Sequence, residues 1–308
     1  MSAPTLVAGA VQIAAIALAP LLPGTIQTLK ARMQGRRGPS PLQPYRTLRR
    51  LWGKSAVDPQ GTTAVYRLAP AVVAACLLAA IAIVPVAGRA PDWGLGHDAL
   101  VLVGLLALAR FTLALAAWDD GGAFGLMGAA RDLMLAVFGE ALLVLALLLA
   151  ALPARSTDLL AMGEAAAGSA AWGTPAPWGG ALAFALVILV ETGRQPIDNP
   201  DTHLELTMIH EGPLLEYGGR DLAYLHWAAA ARHWVVLVLG ASLFLPHGDG
   251  FAAQLGLLAV ALAGLCAALA AGETVQAKMG VLRVPALIGL GCLAALGAIG
   301  SFIGGVGT

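Results

Sequence analysis

Long apolar stretches recur from one end of the 308-residue chain to the other, separated by short polar segments. A helix needs about 20 mostly apolar residues to cross the hydrocarbon core of a membrane. The pattern therefore predicts an all-α fold, a polytopic membrane bundle of about eight transmembrane helices that forms one integral membrane domain over residues 1–308. The predicted spans are 5–29, 67–87, 98–118, 132–153, 178–191, 231–247, 252–271 and 285–305.

Two of these spans require comment. The fifth is short, so it either begins earlier, near Trp172, or carries Glu191 and Thr192 within the membrane. The first lacks a basic leading segment and stays apolar for longer than a cleavable signal peptide does. We therefore expect it to remain as a membrane helix.

The composition agrees with a membrane protein and narrows its chemistry. Hydrophobic residues make up 58% of the chain and charged residues only 12%, about half the charge of an ordinary soluble domain. The formal net charge is zero, so nothing indicates a nucleic-acid partner. Cys76, Cys266 and Cys292 lie in apolar stretches without clustered ligand spacing, which predicts no metal centre, cofactor or disulfide in this chain.

Lysine and arginine are distributed unevenly between the predicted loops. If residue 1 starts outside, the inside loops 30–67, 119–131, 192–232 and 272–284 hold 15 of the 18 basic residues. Basic loops stay on the cytoplasmic side of a membrane. We therefore expect a multi-pass protein of the cell inner membrane with both termini on the periplasmic side, and structured cytoplasmic loops at about 30–67 and 192–232.

The first cytoplasmic loop contains a rigid basic turn and then a short amphipathic helix. Three prolines and two glycines exclude a regular helix from 35–45. Residues of one predicted helical face follow, suited to the membrane surface: Tyr45, Leu48, Leu51 and Trp52. The loop either anchors the chain to anionic lipid or docks a soluble partner, since arginines in a rigid turn make oriented contacts. The candidate docking residues are Arg36, Arg37, Pro39, Gln43, Tyr45 and Arg46.

The second large loop is acidic. Two arginines, Arg194 and Arg220, oppose seven carboxylates: Glu191, Asp198, Asp201, Glu205, Glu211, Glu216 and Asp221. Clustered carboxylates raise one another's pKa, so some of them can carry protons near neutral pH. The loop is thus a candidate proton entrance, with a solvated acidic loop as the alternative. Asn199 and Pro200 also predict the start of a short helix.

Glu140 lies in the middle of the fourth predicted span. Intramembrane carboxylates face the bundle or a wet cavity and usually have a function. Arg110 in the third span and Glu273 at the end of the seventh are candidate neighbours, and a purely structural pairing with Arg110 is the alternative. Glu164 is expected in an outside loop.

Two long stretches resemble a known family. The sequences GRRGPSPLQPY at 35–45 and ETGRQPIDNPDTHLELTMIHE at 191–211 resemble the subunit 1, or H subunit, family of respiratory complex I. They are most similar to its branch of formate hydrogenlyase subunit 4 and hydrogenase-4 component C. The resemblance extends along the whole chain, including the eight-span topology.

The resemblance implies a non-catalytic subunit that joins a peripheral redox arm to membrane subunits. In the hydrogenase branch the partners are the small and large subunits of a group 4 [NiFe] hydrogenase, a ferredoxin-like iron–sulfur subunit and an antiporter-like membrane subunit. The [NiFe] centre and the iron–sulfur clusters belong to those partners. The residues implied in proton movement or coupling are Glu140, Glu191, Arg194, Asp198, Asp201, Glu205, Glu211 and Glu216.

Departures from the respiratory pattern favour the hydrogenase branch. His203 stands where respiratory relatives usually carry a glutamate, and the interval from Glu205 to Glu216 is about three residues longer. Two alternatives stay open. One is a quinone-binding, proton-translocating subunit of a complex I-type NADH dehydrogenase. The other is a stand-alone transporter, which the absence of an internal repeat disfavours.

Overall fold

The structure is a computed structural model that describes residues 3–56, 58–91, 96–167, 172–173, 175–199, 208–245, 247–248 and 250–306. These residues are 77% helical and contain no β-strand. The α-helices are α1 (Ala3–Leu18), α2 (Leu21–Met33), α3 (Gln43–Trp52), α4 (Ala64–Ile83), α5 (Ala99–Asp120), α6 (Ala123–Ala154), α7 (Leu159–Ala167), α8 (Pro175–Glu191), α9 (Gly219–Phe244), α10 (Phe251–Val275) and α11 (Val284–Val306).

Most of these helices are long and apolar enough to cross a membrane. Six of the described helices pass on length and composition alone, namely α4, α5, α6, α9, α10 and α11. Helices α1 and α2 meet at a bend of 48° and pass the same test only as a pair, which gives up to seven spans. Helix α8 is a shorter apolar helix of 17 residues, about 25 Å long at about 1.5 Å per residue. The chain is therefore a multi-pass helical membrane protein, and the prediction of about eight spans is confirmed.

The loops are shorter than the hydropathy pattern predicted. The expected loop 119–131 is wrong, because α5 runs to Asp120 and α6 already begins at Ala123. The expected loop 192–232 also ends too late, because α9 begins at Gly219. In both places charged residues lower the hydropathy while the backbone stays helical. Glu164, expected in a loop, lies exposed on the short helix α7.

The helices alternate in direction across the bundle. One face, called the loop side below, carries the last turns of α2, α5, α8 and α10 and the first turns of α4, α6, α9 and α11. The basic turn, α3 and the acidic loop all lie on this side. It therefore gathers nearly all of the residues that the sequence singled out.

The predicted amphipathic helix is confirmed as α3, which begins two residues earlier than expected, at Gln43. Leu51 on its apolar face is buried, and the Trp52 ring packs edge-on against Tyr224 of α9 with centroids 5.1 Å apart. The Tyr45 hydroxyl donates to the carbonyl of Ala17 over 2.6 Å. These contacts hold α3 against the bundle by its apolar side and leave its arginines exposed.

Interlocked aromatic rings and glycines pack α8 against α9. The rings of Phe184 and Phe244 lie 5.4 Å apart. A Cβ on Gly180 would stand 2.8 Å from the Phe244 ring, and one on Gly240 would stand 2.7 Å from the Phe184 ring. Small residues let membrane helices approach closely, where van der Waals contact rather than the hydrophobic effect drives association. This packing positions the loop-side ends of α8 and α9, which carry the site.

Candidate site at a buried charge cluster

Four helices bring charged side chains together beneath the loop side. Arg110 of α5 contacts three carboxylates: Glu191 at the end of α8 at 2.9 Å, Glu140 in mid-α6 at 3.2 Å, and Asp132 of α6 at 3.5 Å. Arg232 of α9 approaches the other oxygen of Glu191 at 2.7 Å. We call these five residues the Arg110 cluster.

The cluster is built so that its buried charges have partners. The side chains of Arg110 and Glu191 are 4% and 1% exposed, where an unpaired charge would be very costly. Each oxygen of Glu191 faces one guanidinium, and Arg232 also donates to the carbonyl of Leu106 over 3.3 Å. The predicted pairing of Glu140 with Arg110 is therefore present, although Glu191 binds Arg110 more closely.

A second charged group, which we call the Glu273 group, ties the acidic loop to the other side of the bundle. Arg194 donates to one oxygen of Glu273 over 2.9 Å, and Lys30 lies 2.9 Å from the other oxygen. Arg194 Nε also donates to Nε2 of His233 over 3.3 Å, while His233 Nδ1 lies 2.9 Å from the Ala229 carbonyl. Since that carbonyl can only accept, His233 is the neutral imidazole with its proton on Nδ1. The sequence made Glu273 a candidate neighbour of Glu140. In the structure Glu273 instead pairs with Arg194.

The acidic loop reaches the Arg110 cluster through His210. The imidazole Nδ1 lies 3.2 Å from Asp198 of the loop, and Nε2 lies 3.5 Å from Asp132 of α6. Lys278, which follows α10, pairs with the other oxygen of Asp198 at 2.7 Å. Burial raises the pKa of Asp198, but the hydrogen bonds from His210 and Lys278 outweigh burial and hold that pKa well below its usual range.

A polar cavity of about 180 Å³ lies between these groups. At about 30 Å³ per molecule it has room for about six waters, and its walls offer the polar partners that ordered water requires. Its charged and titratable lining residues are Arg110, Asp132, Glu191, Arg194, Asp198, His210, Glu211, His226, Arg232 and His233. Side chains of the acidic loop and of the Arg110 cluster, together with Arg194 and His233, therefore line one cavity.

Glu140 also faces the outside of the bundle. Its side chain is 31% exposed and lines a groove of about 410 Å³ between α5 and α6, together with Arg110, Phe111 and Val137. The groove lies at the depth of mid-α6, where a carboxylate in contact with lipid is costly. This side of the bundle is therefore suited to cover by another membrane protein.

The structure places the predicted coupling residues unequally. Glu140 and Glu191 belong to the Arg110 cluster, Arg194 belongs to the Glu273 group, and Asp198 and Glu211 line the polar cavity. Glu216 lies exposed outside the cavity, and its carbonyl accepts from the Tyr66 hydroxyl over 2.9 Å. Asp201, His203, Glu205 and the predicted helix start at Pro200 lie outside the described residues.

The predicted docking residues form one exposed surface on the loop side. The turn folds back over α2, because the Thr28 hydroxyl donates to the Pro39 carbonyl over 2.9 Å. Gly35 has a left-handed φ of 69°. Arg36 donates to the Gln34 side chain. Arg36, Arg37, Pro39 and Arg46 are exposed, and Gln43 and Tyr45 are half-buried.

Sequence reasoning missed several members of the site. Asp132, Arg232 and His233 lie at the edges of predicted spans and were given no role, and Lys30 was counted only as a basic residue of the first loop. A charged residue predicted within a few positions of a span boundary is the signal that could have found them. Among the residues that the structure describes, no group of three or more His, Cys, Asp or Glu side chains is placed to hold a metal ion.

Comparison with known proteins identifies the family. A family model described as NADH dehydrogenase matches residues 6–300. The chain is 35% identical to hydrogenase-4 component C of Escherichia coli, over 75% of this chain and 72% of the relative. It is 34% identical to formate hydrogenlyase subunit 4 of the same organism, over 76% and 75%. It is 30% identical to an H subunit of the NADH-quinone oxidoreductase of Cereibacter sphaeroides, over 77% and 78%.

A solved structure shows the same fold. A chain of the membrane-bound sulfane sulfur reductase, an archaeal respiratory membrane complex, superposes with a TM-score of 0.83 at 20% identity, over 96% of this chain and 98% of the other. The family model and the sequence relatives confirm the resemblance seen in the two loop motifs. The chain belongs to the NADH dehydrogenase family, which unites the H subunits of NADH-quinone oxidoreductases with the membrane subunits of hydrogenase-4 and formate hydrogenlyase.

Proposed function

We propose that the chain is the membrane-anchoring and coupling subunit of a group 4 [NiFe] hydrogenase complex of the formate hydrogenlyase type. Two relatives of that type have the highest identities among those reported above, 35% and 34%. The amino-acid sequence of the loop motif at 191–211 is also typical of that branch. In this function the chain holds no redox centre, and its partners carry out the chemistry.

The observation that carries the proposal is an unbroken series of charged contacts from the loop side to mid-membrane. The series passes from Asp198 through His210 and Asp132 to Arg110, and from there to Glu191 and Glu140. No step exceeds 3.5 Å. Because the groups share contacts, a change of charge at the loop alters the electrostatic energy at Glu140.

The series works as a coupling element in the following way. A change of redox or protonation state in the docked hydrogenase arm changes the charge above Asp198. His210, Asp132 and Arg110 transmit that change, because Arg110 can share its hydrogen bonds differently among three carboxylates. Glu140 then accepts or releases a proton toward the groove between α5 and α6. During this rearrangement each group that stays charged keeps a partner of opposite charge. The energetic cost of the rearrangement in a buried site is therefore small.

Docking surfaces for two classes of partner follow from the same arrangement. The exposed arginines of the basic turn and of α3, among them Arg36, Arg37 and Arg46, would bind the hydrogenase small subunit on the cytoplasmic face. The groove beside Glu140 would bind an antiporter-like membrane subunit. The large hydrogenase subunit and the ferredoxin-like subunit would assemble on the hydrogenase arm together with the small subunit. Both termini of this chain would lie in the periplasm.

Purification from native membranes tests the proposal. The tagged chain is solubilised gently, the co-purifying proteins are identified by mass spectrometry, and hydrogen evolution is assayed with reduced viologen. Recovery of [NiFe] hydrogenase subunits with hydrogen activity is the expected result. Recovery of the chain alone, with transport of a solute, would contradict it.

Glu140→Gln tests the coupling step within that complex. Hydrogen evolution with viologen should persist, while ion movement driven by hydrogen evolution in vesicles should fall at least tenfold. The matched control is Glu164→Gln, because Glu164 is exposed on α7 away from the site. Full coupling in the Glu140 variant would remove this residue from the proposed path.

A quinone-binding subunit of a complex I-type dehydrogenase is the second candidate. An apolar cavity of about 600 Å³ favours it, since this volume falls within the range of small-molecule sites. The cavity lies among α1, α2 and α10, with Arg32 at its loop-side end. Co-purification of NADH dehydrogenase subunits, and block of turnover by quinone-site inhibitors, would replace the hydrogenase proposal with this one.

A further inference from the structure

We propose that His210 is a proton-binding positioning residue that fastens the acidic loop to α6 when its imidazole is doubly protonated, and releases the loop when it is neutral. The charge on His210 then sets whether the loop is joined to the proposed coupling path. Only the effect of His210 on coupling rests on the proposed function. The attachment of the loop to α6 can be measured in any complex that contains the chain.

The geometry of His210 favours two protons on the ring. Its two nitrogens face carboxylate oxygens of different elements, Asp198 of the loop and Asp132 of α6. Nδ1 is within hydrogen-bond distance of Asp198, and Nε2 is within ion-pair distance of Asp132. An ionised carboxylate only accepts hydrogen bonds, so an N–H on each nitrogen makes both approaches favourable. A neutral imidazole has a single N–H and would leave one carboxylate facing a lone pair. Only the imidazolium therefore presents an N–H to both carboxylates.

The balance of charges around the ring also favours a doubly protonated His210. Along the direct contacts from Lys278 to Arg232, four carboxylates meet three permanent cations, and a protonated His210 brings the series to neutrality. The carboxylates are Asp198, Asp132, Glu140 and Glu191, and the cations are Lys278, Arg110 and Arg232. His233 of α9 faces the same cavity as a neutral ring.

The direction of the pKa change agrees with this geometry. Burial lowers the pKa of His210, but the hydrogen bond to Asp198 and the negative charges of Asp132 and Asp198 raise it above its ordinary value of 6.5 overall. A histidine whose folded pKa is raised contributes its full stabilisation below about pH 6.5. That contribution is lost as the pH rises through the folded pKa. The loop should therefore be fastened in mildly acidic conditions and freed in alkaline ones.

The surrounding contacts make His210 the fastening point between the loop and α6. Arg131 of α6 donates to the carbonyl of Met208 over 3.2 Å, two residues before His210. Gly193 lies directly beneath the ring, since a Cβ there would stand 2.8 Å from Nδ1. Both ends of the described acidic loop, 193–199 and 208–211, thus meet at this one imidazole. Protonation of His210 sets whether they are joined to the Arg110 cluster.

Hydrogen–deuterium exchange on the purified native complex tests the inference. Peptides covering 193–199 and 208–211 are followed between pH 5.5 and 9 and corrected for the intrinsic pH dependence of exchange. Protection should be constant at low pH and then fall by up to tenfold per pH unit above the transition. In His210→Gln, which keeps a donor and an acceptor but does not titrate, the step should disappear. His226→Gln is the control, because His226 lines the same cavity without a hydrogen bond to Asp132 or Asp198 among the described residues.

Two further variants give shifts in opposite directions. Lys278→Met removes a cation from Asp198 and should move the transition to higher pH. Asp132→Asn removes a negative charge from Nε2 and should move it to lower pH. A purely structural role for these residues would change the amount of protection without moving its midpoint. If the His210 variant fails to assemble, the wild-type pH titration and the midpoint shifts in the Lys278 and Asp132 variants still test the proposal.

The outcomes separate this inference from the proposed function. No pH step in the wild-type complex, or the same step in His210→Gln, would overturn the role of His210 even in an active hydrogenase. A clear step that responds to Lys278 and Asp132 would support it even in a complex without hydrogen activity. The second result would leave the loop fastening intact and remove only the hydrogenase proposal.

Discussion

Glu191 is a deeply buried carboxylate with two arginine partners. Its side chain is 1% exposed, and its two oxygens contact Arg110 and Arg232 at 2.9 and 2.7 Å. The carboxylate is what allows two guanidinium groups to lie close together inside the bundle. The pairing is a balance of large opposing effects, because burial of each charge costs several kcal/mol that only the partners offset.

Glu191→Gln should therefore destabilise the protein strongly. The substitution keeps the shape of the side chain but leaves two buried guanidinium groups sharing fewer negative charges. Removing one partner of a buried pair costs about 3–5 kcal/mol. Thermal unfolding of the purified complex measures this loss of stability, with the release of this chain from the complex as the signal. Glu164→Gln on the exposed face of α7 should leave the unfolding temperature unchanged, and equal stability of the two variants would contradict the described burial of Glu191.

At the scale of elements, the site depends on a close approach between α6 and the short 3₁₀ helix Gly212–Leu214. A Cβ on Gly128 would stand 2.8 Å from the Cα of Gly212 and 3.0 Å from Pro213. The tyrosine pair Tyr66 and Tyr217 holds the end of the same segment to α4, with rings stacked 4.3 Å apart. Each hydroxyl donates to a backbone carbonyl of the partner segment over 2.9 Å. Residues 212–217, which follow His210, are thus held between α6 and α4 by contacts that do not involve its imidazole.

Gly128→Ala should force these elements apart. The added methyl group meets backbone atoms that cannot rotate away, and overpacking of this kind costs about 1–3 kcal/mol. Gly104→Ala in α5 is the matched control, because nothing lies within 4 Å of its Cβ position. Alanine is favoured over glycine in a helix by about 0.5–1 kcal/mol, so the control should be neutral or slightly stabilising. Comparing the thermal stabilities of the two variants measures the difference, and a tolerated Gly128→Ala would contradict the close approach.

The whole molecule is asymmetric in charge across the membrane. The loop side carries the basic turn, α3 and the acidic loop, while Arg89 and Arg155 lie on the opposite side. Two separate charged groups, one around Arg110 and one around Glu273, meet in the polar cavity beneath this side. The cavity beneath the loop side and the groove beside Glu140 share one lining residue, Arg110.

The positive-inside distribution predicts that the loop side is cytoplasmic. Lys54→Cys lies on that side, and Arg155→Cys lies on the opposite side; both positions are exposed. In intact spheroplasts a membrane-impermeant thiol reagent should label the cysteine at 155 and spare the one at 54 until the membrane is broken. The native cysteines are buried or half-buried and provide the background. Labelling with the reverse pattern would invert the assigned orientation.

The sequence alone was sufficient for the fold class, the approximate positions of the spans and α3. Hydropathy and helical periodicity are local properties, and lipid requires each span to satisfy its own backbone hydrogen bonds. The span boundaries failed where charged residues continue a helix, as at the start of α9 with Arg220 and Asp221. The family was also recognisable, since two long motifs carry it.

The partners of each charge were decided only by the tertiary structure. Arg110 meets Glu140, 30 positions away, and Glu191, 81 positions away, while Arg194 meets Glu273 rather than any nearer acid. Such pairings depend on the rotation and depth of each helix in the bundle, which close packing of side chains determines and hydropathy does not encode. The sequence therefore determined which residues carry charge into the membrane, and the packing of α5, α6, α8 and α9 decided which of them act together.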